Sequence, residues 1–236
     1  MNKVLKISRS GLRLFLECPR CFWLDVHHKI KRPAGYPYTL SSAVDYLVKQ
    51  EFDKYRVKDK LPPIFQKTGI PAKLYSGPEL SDWRSNFKGI AYYDKERDAI
   101  LYGAIDDILQ FYDGSLAVVD YKSSGSKEVT IYDDYQKQMD IYNYILQKNG
   151  HAIQPNAYFV FYVVEKNGGG FQNALPFREE LKTVSVNTDW VEGVFQAAVE
   201  LARQPEPPVG TETCEHCRYV VNASKFRAES KIEYGA

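Results

Sequence analysis

The sequence predicts an α/β protein with a mixed central sheet flanked by helices, and three patterns carry that expectation. From about Lys88 the apolar residues recur with a period of two, giving strands near 89–93, 100–111, 116–122 and 157–164. A helical pattern over 130–148, stopped by Asn149-Gly150, separates the third strand from the fourth, and that order implies a crossover with some parallel pairing. Helical patterns before and after this block supply layers for the faces of the sheet.

Taken in order, Ser8 or Ser10 can cap a short helix with Leu12, Phe15 and Leu16 on its apolar face. It ends near Pro19, inside a C-x-x-C pair whose loop presents Cys18 and Cys21. After the loop at 29–38, Ser41 or Ser42 starts a helix to about Arg56, with Val44, Leu47, Val48, Phe52 and Tyr55 at helical spacing and Asp45 at the border of its buried face. Residues 61–77, rich in proline and glycine, read as irregular. Beyond the strands and the 130–148 helix, the glycines of 167–170 turn the chain into a strand near 181–186. A last helix, capped by Thr188 or Asp189, runs to about Arg203, and the prolines of 205–208 lead stiffly to a second pair, Cys214 and Cys217. The whole chain, 1–236, reads as a single domain. Residues 1–35 and 205–222 form a cysteine-bearing clasp, and 223–236 a polar, flexible tail.

Composition bounds the function. With 44% hydrophobic and 26% charged residues the chain is not disordered, and its net charge of +1 gives no global argument for nucleic acid. A local argument remains, because Lys3, Lys6, Arg9, Arg13, Arg20, Lys29, Lys31 and Arg32 face only Glu17 and Asp25 in the first 32 residues. No apolar run approaches the ~20 residues needed to span a bilayer, and the start lacks a signal peptide's apolar core. A cytoplasmic protein without membrane contact is expected. In that reducing compartment four cysteines in two close pairs favour a metal over disulfides. With four thiolates available, His27, His28 and His216 are expected to face solvent.

The chemistry lies in the middle of the chain. Gly103 to Lys122 reads as a hairpin turning at Asp113-Gly114, and alternation puts Asp120 and Lys122 on one face. A two-residue turn pairs Asp107 with Asp120, whereas a three-residue loop of Tyr112, Asp113 and left-handed Gly114 pairs Asp106 with Asp120. Either register sets two carboxylates together with a lysine one step along, and like charges that close call for a cation. Hard oxygen ligands suit Mg2+ or Mn2+, which polarise a phosphoryl oxygen and acidify bound water. A bare D-x-K is more commonly a surface ion pair, so the weight comes from its agreement with other features. On the 130–148 helix, Tyr135, Met139, Tyr142 and Leu146 form a buried stripe, and Gln138 on the same side needs a partner. A backbone group, the metal site and a nucleic-acid strand are equal alternatives.

Together these residues resemble the RecB-type branch of the PD-(D/E)XK nucleases, and within it the CRISPR-associated RecB-like exonucleases. Gly103-Ala-Ile-Asp106 resembles the family's G-x-x-D, Asp120-Tyr-Lys122 its (D/E)-x-K, and Gln138-Met-Asp-Ile-Tyr142 its Q-x-x-x-Y. The resemblance implies a restriction-endonuclease-like αβββαβ core and a deoxyribonuclease acting on single strands or DNA ends. It also implies that Asp106, Asp120 and the main-chain carbonyl of Tyr121 bind the ion while Lys122 assists attack by water. Gln138 and Tyr142 then hold the site or the strand, and the hairpin takes the three-residue loop. Where the family often has a histidine on the helix before the sheet, this chain has Asp45, a candidate third carboxylate ligand.

Iron-sulfur members usually place one cysteine before the core and three after, whereas here the division is two and two. An iron-sulfur cluster is expected from the family context, with a Zn2+ site of four thiolates as the alternative. The function in another class is a non-catalytic nucleic-acid-binding module on the same fold, acting with a partner. A redox role for the C-x-x-C pairs is a weaker third idea. DNA is the expected partner; protein partners are not identifiable from the sequence.

Overall fold

A computed structural model describes residues 4–167 and 169–226 of the chain. In order, its elements are β1 (Leu5–Ser8), α1 (Arg9–Glu17), α2 (Pro19–His28), α3 (Thr39–Val57), α4 (Pro63–Gln66), β2 (Ala72–Leu74), α5 (Leu80–Trp83) and β3 (Ile90–Asp94). There follow β4 (Ala99–Gly103), β5 (Asp107–Phe111), β6 (Leu116–Ser124), α6 (Asp133–Lys148), β7 (Asn156–Val164), β8 (Phe177–Ser185), α7 (Asp189–Leu201) and α8 (Glu215–Ser224). The described residues divide into two compact units, one of 4–9 with 37–192 and one of 10–36 with 193–226. No described helix is long and apolar enough to cross a membrane.

The larger unit holds two mixed sheets where the sequence suggested one. Five strands run in the order β2-β5-β6-β7-β8 and three in the order β1-β4-β3. As expected from the crossover, β6 and β7 pair in parallel, Asp120 opposite Phe159, while the other neighbours in the larger sheet are antiparallel. Alternation along β6 and β7 sorts their side chains. Val119 and Tyr121, with Tyr158, Val160 and Tyr162, pack under Val48 and Phe52 of α3 and Phe65 of α4. Phe159 and Phe161 lie near Tyr135 of α6. Both faces being covered, β7 is apolar nearly throughout and β6 is apolar over its first four residues.

The expected strand over 100–111 is two strands in different sheets. At the break, Ile105 donates its N–H to the Trp83 carbonyl at 3.0 Å and Arg84 Nε donates to the Asp106 carbonyl at 2.9 Å. These bonds satisfy two backbone groups outside any ladder where the chain leaves β4 for β5. An unbroken apolar pattern conceals such an exchange. Residues 61–77 are likewise not wholly irregular. Pro62 and Pro63 open α4, where a missing N–H costs nothing, and β2 supplies the edge strand beside β5. Three residues are too few to show a period. α8 was not expected, and it takes in 223 and 224; residues 227–236 of the expected tail lie outside the described residues.

The hairpin register is settled by its connection. Phe111 and Ser115 close a loop of Tyr112, Asp113 and Gly114, with Gly114 at φ 87° and Asp113 Oδ1 accepting from the Ser115 N–H at 3.0 Å. Glycine meets a left-handed requirement there without the strain a side chain would bring. Pairing of Asp107 with Val119, continued one residue back, sets Asp106 opposite Asp120.

Candidate metal-dependent site and the cysteine cluster

At the break between β4 and β5, Asp106 points its carboxylate toward α3 and β6. Its Oδ1 accepts from Lys49 Nζ of α3 at 2.7 Å, and its Oδ2 accepts from the Tyr121 N–H of β6 at 3.1 Å. The Tyr121 hydroxyl is committed to Asp107 at 2.7 Å, leaving only its backbone on the Asp106 side. Asp120 is almost wholly buried. Its Oδ1 accepts from Gln138 Nε2 at 2.5 Å, so that glutamine bonds a side-chain carboxylate, and its Oδ2 is paired with the Lys122 ammonium. Oδ2 is buried, with the Lys122 ammonium as its cationic neighbour.

The electrostatics follow from this crowding. Burial, and then the Asp106 carboxylate, raise the Asp120 pKa to about 7 against the opposing pull of Lys122. Burial and Asp106 also push Asp45 up, while Lys49 at 2.9 Å draws it down. Lys49 is held charged by Asp106 and Asp45 although burial works against it. The carboxylates of Asp106 and Asp120, set opposite each other and each disfavouring the other's charge, fit a divalent cation bound by oxygen. Lys122 itself lies 5.0 Å from the centre of the Tyr135 ring and 5.7 Å from that of Phe159, which hold its ammonium by cation–π attraction.

Gly103 and Tyr142 form one fitted pair. A Cβ on Gly103 would lie 2.6 Å from Cε1 of the Tyr142 ring and 3.3 Å from the Arg9 Cβ, so the bare backbone is what lets the ring lie there. Gly103→Ala is therefore expected to destabilise the protein by about 1–3 kcal/mol through overpacking. In a Tyr142→Ala background most of that cost should vanish, a coupling measured by urea denaturation of the four proteins.

Thus the structure gathers Asp45, Asp106, Asp120, Tyr121, Lys122, Gln138 and Tyr142 in one region of the larger unit. Sequence reasoning missed Lys49, for which the i, i+4 spacing from Asp45 was the available signal. It also missed Arg56, Arg84 and Asp53, the charged network around fully buried Asp107. Asp53 and Arg56 share α3 at i, i+3, but Arg84 and Asp107 come from later segments, so no local pattern announces the network.

In the smaller unit, Cys18, Cys21, Cys214 and Cys217 bring their sulfurs within 4.8 Å of one another. Cys18 is the N-cap of α2, with Pro19 in the first turn, and Cys214 the N-cap of α8. Each C-x-x-C thus opens a helix, whose N-terminal dipole favours thiolate. Burial raises the Cys18 pKa, but N–H donors from Cys21 and Thr211 outweigh it and bring the thiol below its ordinary value. Arg32 Nη2 donates to Cys214 Sγ at 3.5 Å and its Nη1 to Glu17 at 2.5 Å. His27 and His28 are exposed and His216 half-buried, and among the described residues the cluster consists of the four cysteines.

A family model of the PD-(D/E)XK nuclease superfamily matches residues 39–221. The chain belongs to that superfamily. PD-(D/E)XK proteins are generally phosphodiester hydrolases that typically use divalent metals, and membership carries a nuclease-like function with nucleic acid as partner. The mixed α/β architecture accords with the superfamily's restriction-endonuclease-like fold. Among solved structures, that of SSO0001 is similar over 94% of this PD-(D/E)XK chain and 86% of its own, at 13% identity and a TM-score of 0.41. No curated protein matches the chain.

Proposed function

We propose that this protein is a metal-dependent deoxyribonuclease of the cytoplasm, an exonuclease acting on single-stranded DNA or DNA ends. The observation that carries the reading is the pair of Asp106 and Asp120 set opposite each other on the hairpin, with Asp120 buried and Lys122 beside it. Asp106, Asp120 and the Tyr121 carbonyl would hold Mg2+ or Mn2+, and Asp45 is a further ligand candidate once Lys49 turns from it. When bound, the ion polarises a phosphoryl oxygen and lowers the pKa of a coordinated water. Lys122 orients the nucleophile and neutralises charge gathering on the phosphate. Gln138 fixes the Asp120 carboxylate by one oxygen, and the other, paired with Lys122 in the metal-free protein, would turn to the ion. Tyr142, seated against Gly103, and Gln138 hold the site together on α6.

One observation favours the second reading, a binding module with a vestigial site. Lys49 already bridges Asp45 and Asp106, so an ammonium supplies part of the compensation a metal would bring. The two readings separate in one assay. End-labelled single-stranded and duplex DNA are incubated with the full chain and MnCl2 or MgCl2. Cleavage is expected in both metals, with single strands or ends preferred, and should stop on adding EDTA. Binding without any cleavage by the parent protein would establish the module instead.

A further inference from the structure

We infer that the four cysteines hold a single tetrahedral zinc ion and not the iron-sulfur cluster that the family resemblance implies. The decisive quantity is the spacing of the sulfurs. Around one zinc with Zn–S of about 2.3 Å, tetrahedral geometry places neighbouring sulfurs about 3.8 Å apart. In this site Cys18 Sγ lies 3.7 Å from Cys217 Sγ, and Cys21 Sγ lies 3.7 Å from both Cys214 Sγ and Cys217 Sγ. All four sulfurs fall within 4.8 Å of one another.

A cluster cannot meet that constraint. In a four-iron cluster each cysteine ends on a different iron, so the irons and bridging sulfides sit inside the thiolate tetrahedron and enlarge it. A two-iron cluster keeps two cysteines close on each iron but separates one pair from the other by the width of the cluster. Here the short contacts run between the pairs, from Cys18 and Cys21 to Cys214 and Cys217, which is the direction either cluster would stretch.

Nor is the site free to widen. A Cβ on Gly210 would stand 2.9 Å from Cys217 Sγ and 3.1 Å from its Cβ, so the backbone at 210 closes directly on that ligand. Cys18, Cys21 and Cys214 are buried, and Cys18 and Cys214 are fixed as helix N-caps. Two helix N-termini and the Arg32 guanidinium face the charge of four thiolates around a dication, the outer support such a site needs. Four protein ligands leave zinc no open position, which makes the centre structural. It ties residues near 20 to residues near 215 within the smaller unit.

The assignment rests on the reading of these cysteines as a metal centre, and its test separates the two claims. Full-length protein is purified anaerobically from cells supplied with both iron and zinc, then analysed by elemental analysis, visible absorption and X-ray absorption at the zinc edge. One zinc per chain is expected, with four sulfur neighbours at about 2.3 Å and no visible band. Two or more irons per chain with acid-labile sulfide and a broad visible band would overturn zinc while leaving the metal centre standing. Folded protein with neither metal would overturn the metal centre itself. Substitution by Co2+ gives a second readout that needs no variant. The intense visible absorption of a tetrahedral four-sulfur site is expected, and a pale, weakly absorbing cobalt protein would sink the assignment.

Discussion

Asp120→Asn is expected to lower metal-dependent cleavage by at least about 10²–10³-fold, the usual loss when one pre-organised charged group is removed from a reacting centre. It should do so while making the metal-free protein more stable. Asparagine keeps an oxygen for Gln138, so the helix contact survives, but it removes a charge that burial and Asp106 disfavour. The sign is fixed by linkage. Because folding raises the Asp120 pKa from 3.8 to about 7, the folded state holds a proton that the unfolded state has lost between those values. Stability from this group therefore falls as pH rises through the window and stays low above it. In EDTA the variant's advantage should be absent near pH 4, grow toward pH 7 and then level off. Urea denaturation at a series of pH values reads this, and a gel assay with Mn2+ reads cleavage. A merely structural aspartate would lose stability and activity together. Lys122→Ala should also abolish cleavage, and it should drive the Asp120 pKa higher because its counter-charge is gone.

The motifs were legible because each is short and local. Gly103 and Asp106, Asp120 and Lys122, and Gln138 and Tyr142 each occupy one element or one bend, and strand alternation or helix period is enough to place them. The parallel pairing of β6 with β7 was legible for a related reason, since a helix of this length between two strands is long enough for the crossover that parallel pairing needs. What stayed hidden was set by long-range contacts. The exchange of sheets at 104–106 depends on α5, whose Trp83 carbonyl and Arg84 side chain lie some twenty residues earlier. The spacing of the cysteine sulfurs depends on segments nearly two hundred residues apart, which is why the sequence alone left zinc and iron-sulfur both standing. Asp107 illustrates the point most clearly. In the sequence it was an alternative partner for Asp120, and in the fold it turns to the opposite side of the strand from its neighbour.

That side is where the largest loss of stability is expected. Asp107 is fully buried, and its two oxygens are paired with Arg56 and, at 2.6 Å, with Arg84, while the Tyr121 hydroxyl and the Ile108 N–H also donate to it. Asp53, half-exposed, is the other carboxylate that the two guanidiniums share. Asp107→Ala would leave Arg56 and Arg84 buried with one anion between them. Breaking a buried ion pair from one side costs about 3–5 kcal/mol, because the remaining charge loses its partner without regaining water. The loss should reach the metal site as well. Arg84 Nε holds the Asp106 carbonyl, and a guanidinium no longer anchored by Asp107 leaves that bend, and the Asp106 carboxylate on it, less fixed. We expect the urea midpoint to fall sharply and Mn2+ affinity, measured by calorimetry on the folded fraction, to weaken. Asp107→Asn keeps acceptor and shape and should fall between the variant and the parent in both. If Asp107→Ala left Mn2+ affinity unchanged while lowering stability, the network would be a scaffold alone. A parallel fall in both would make it the element that sets Asp106 opposite Asp120.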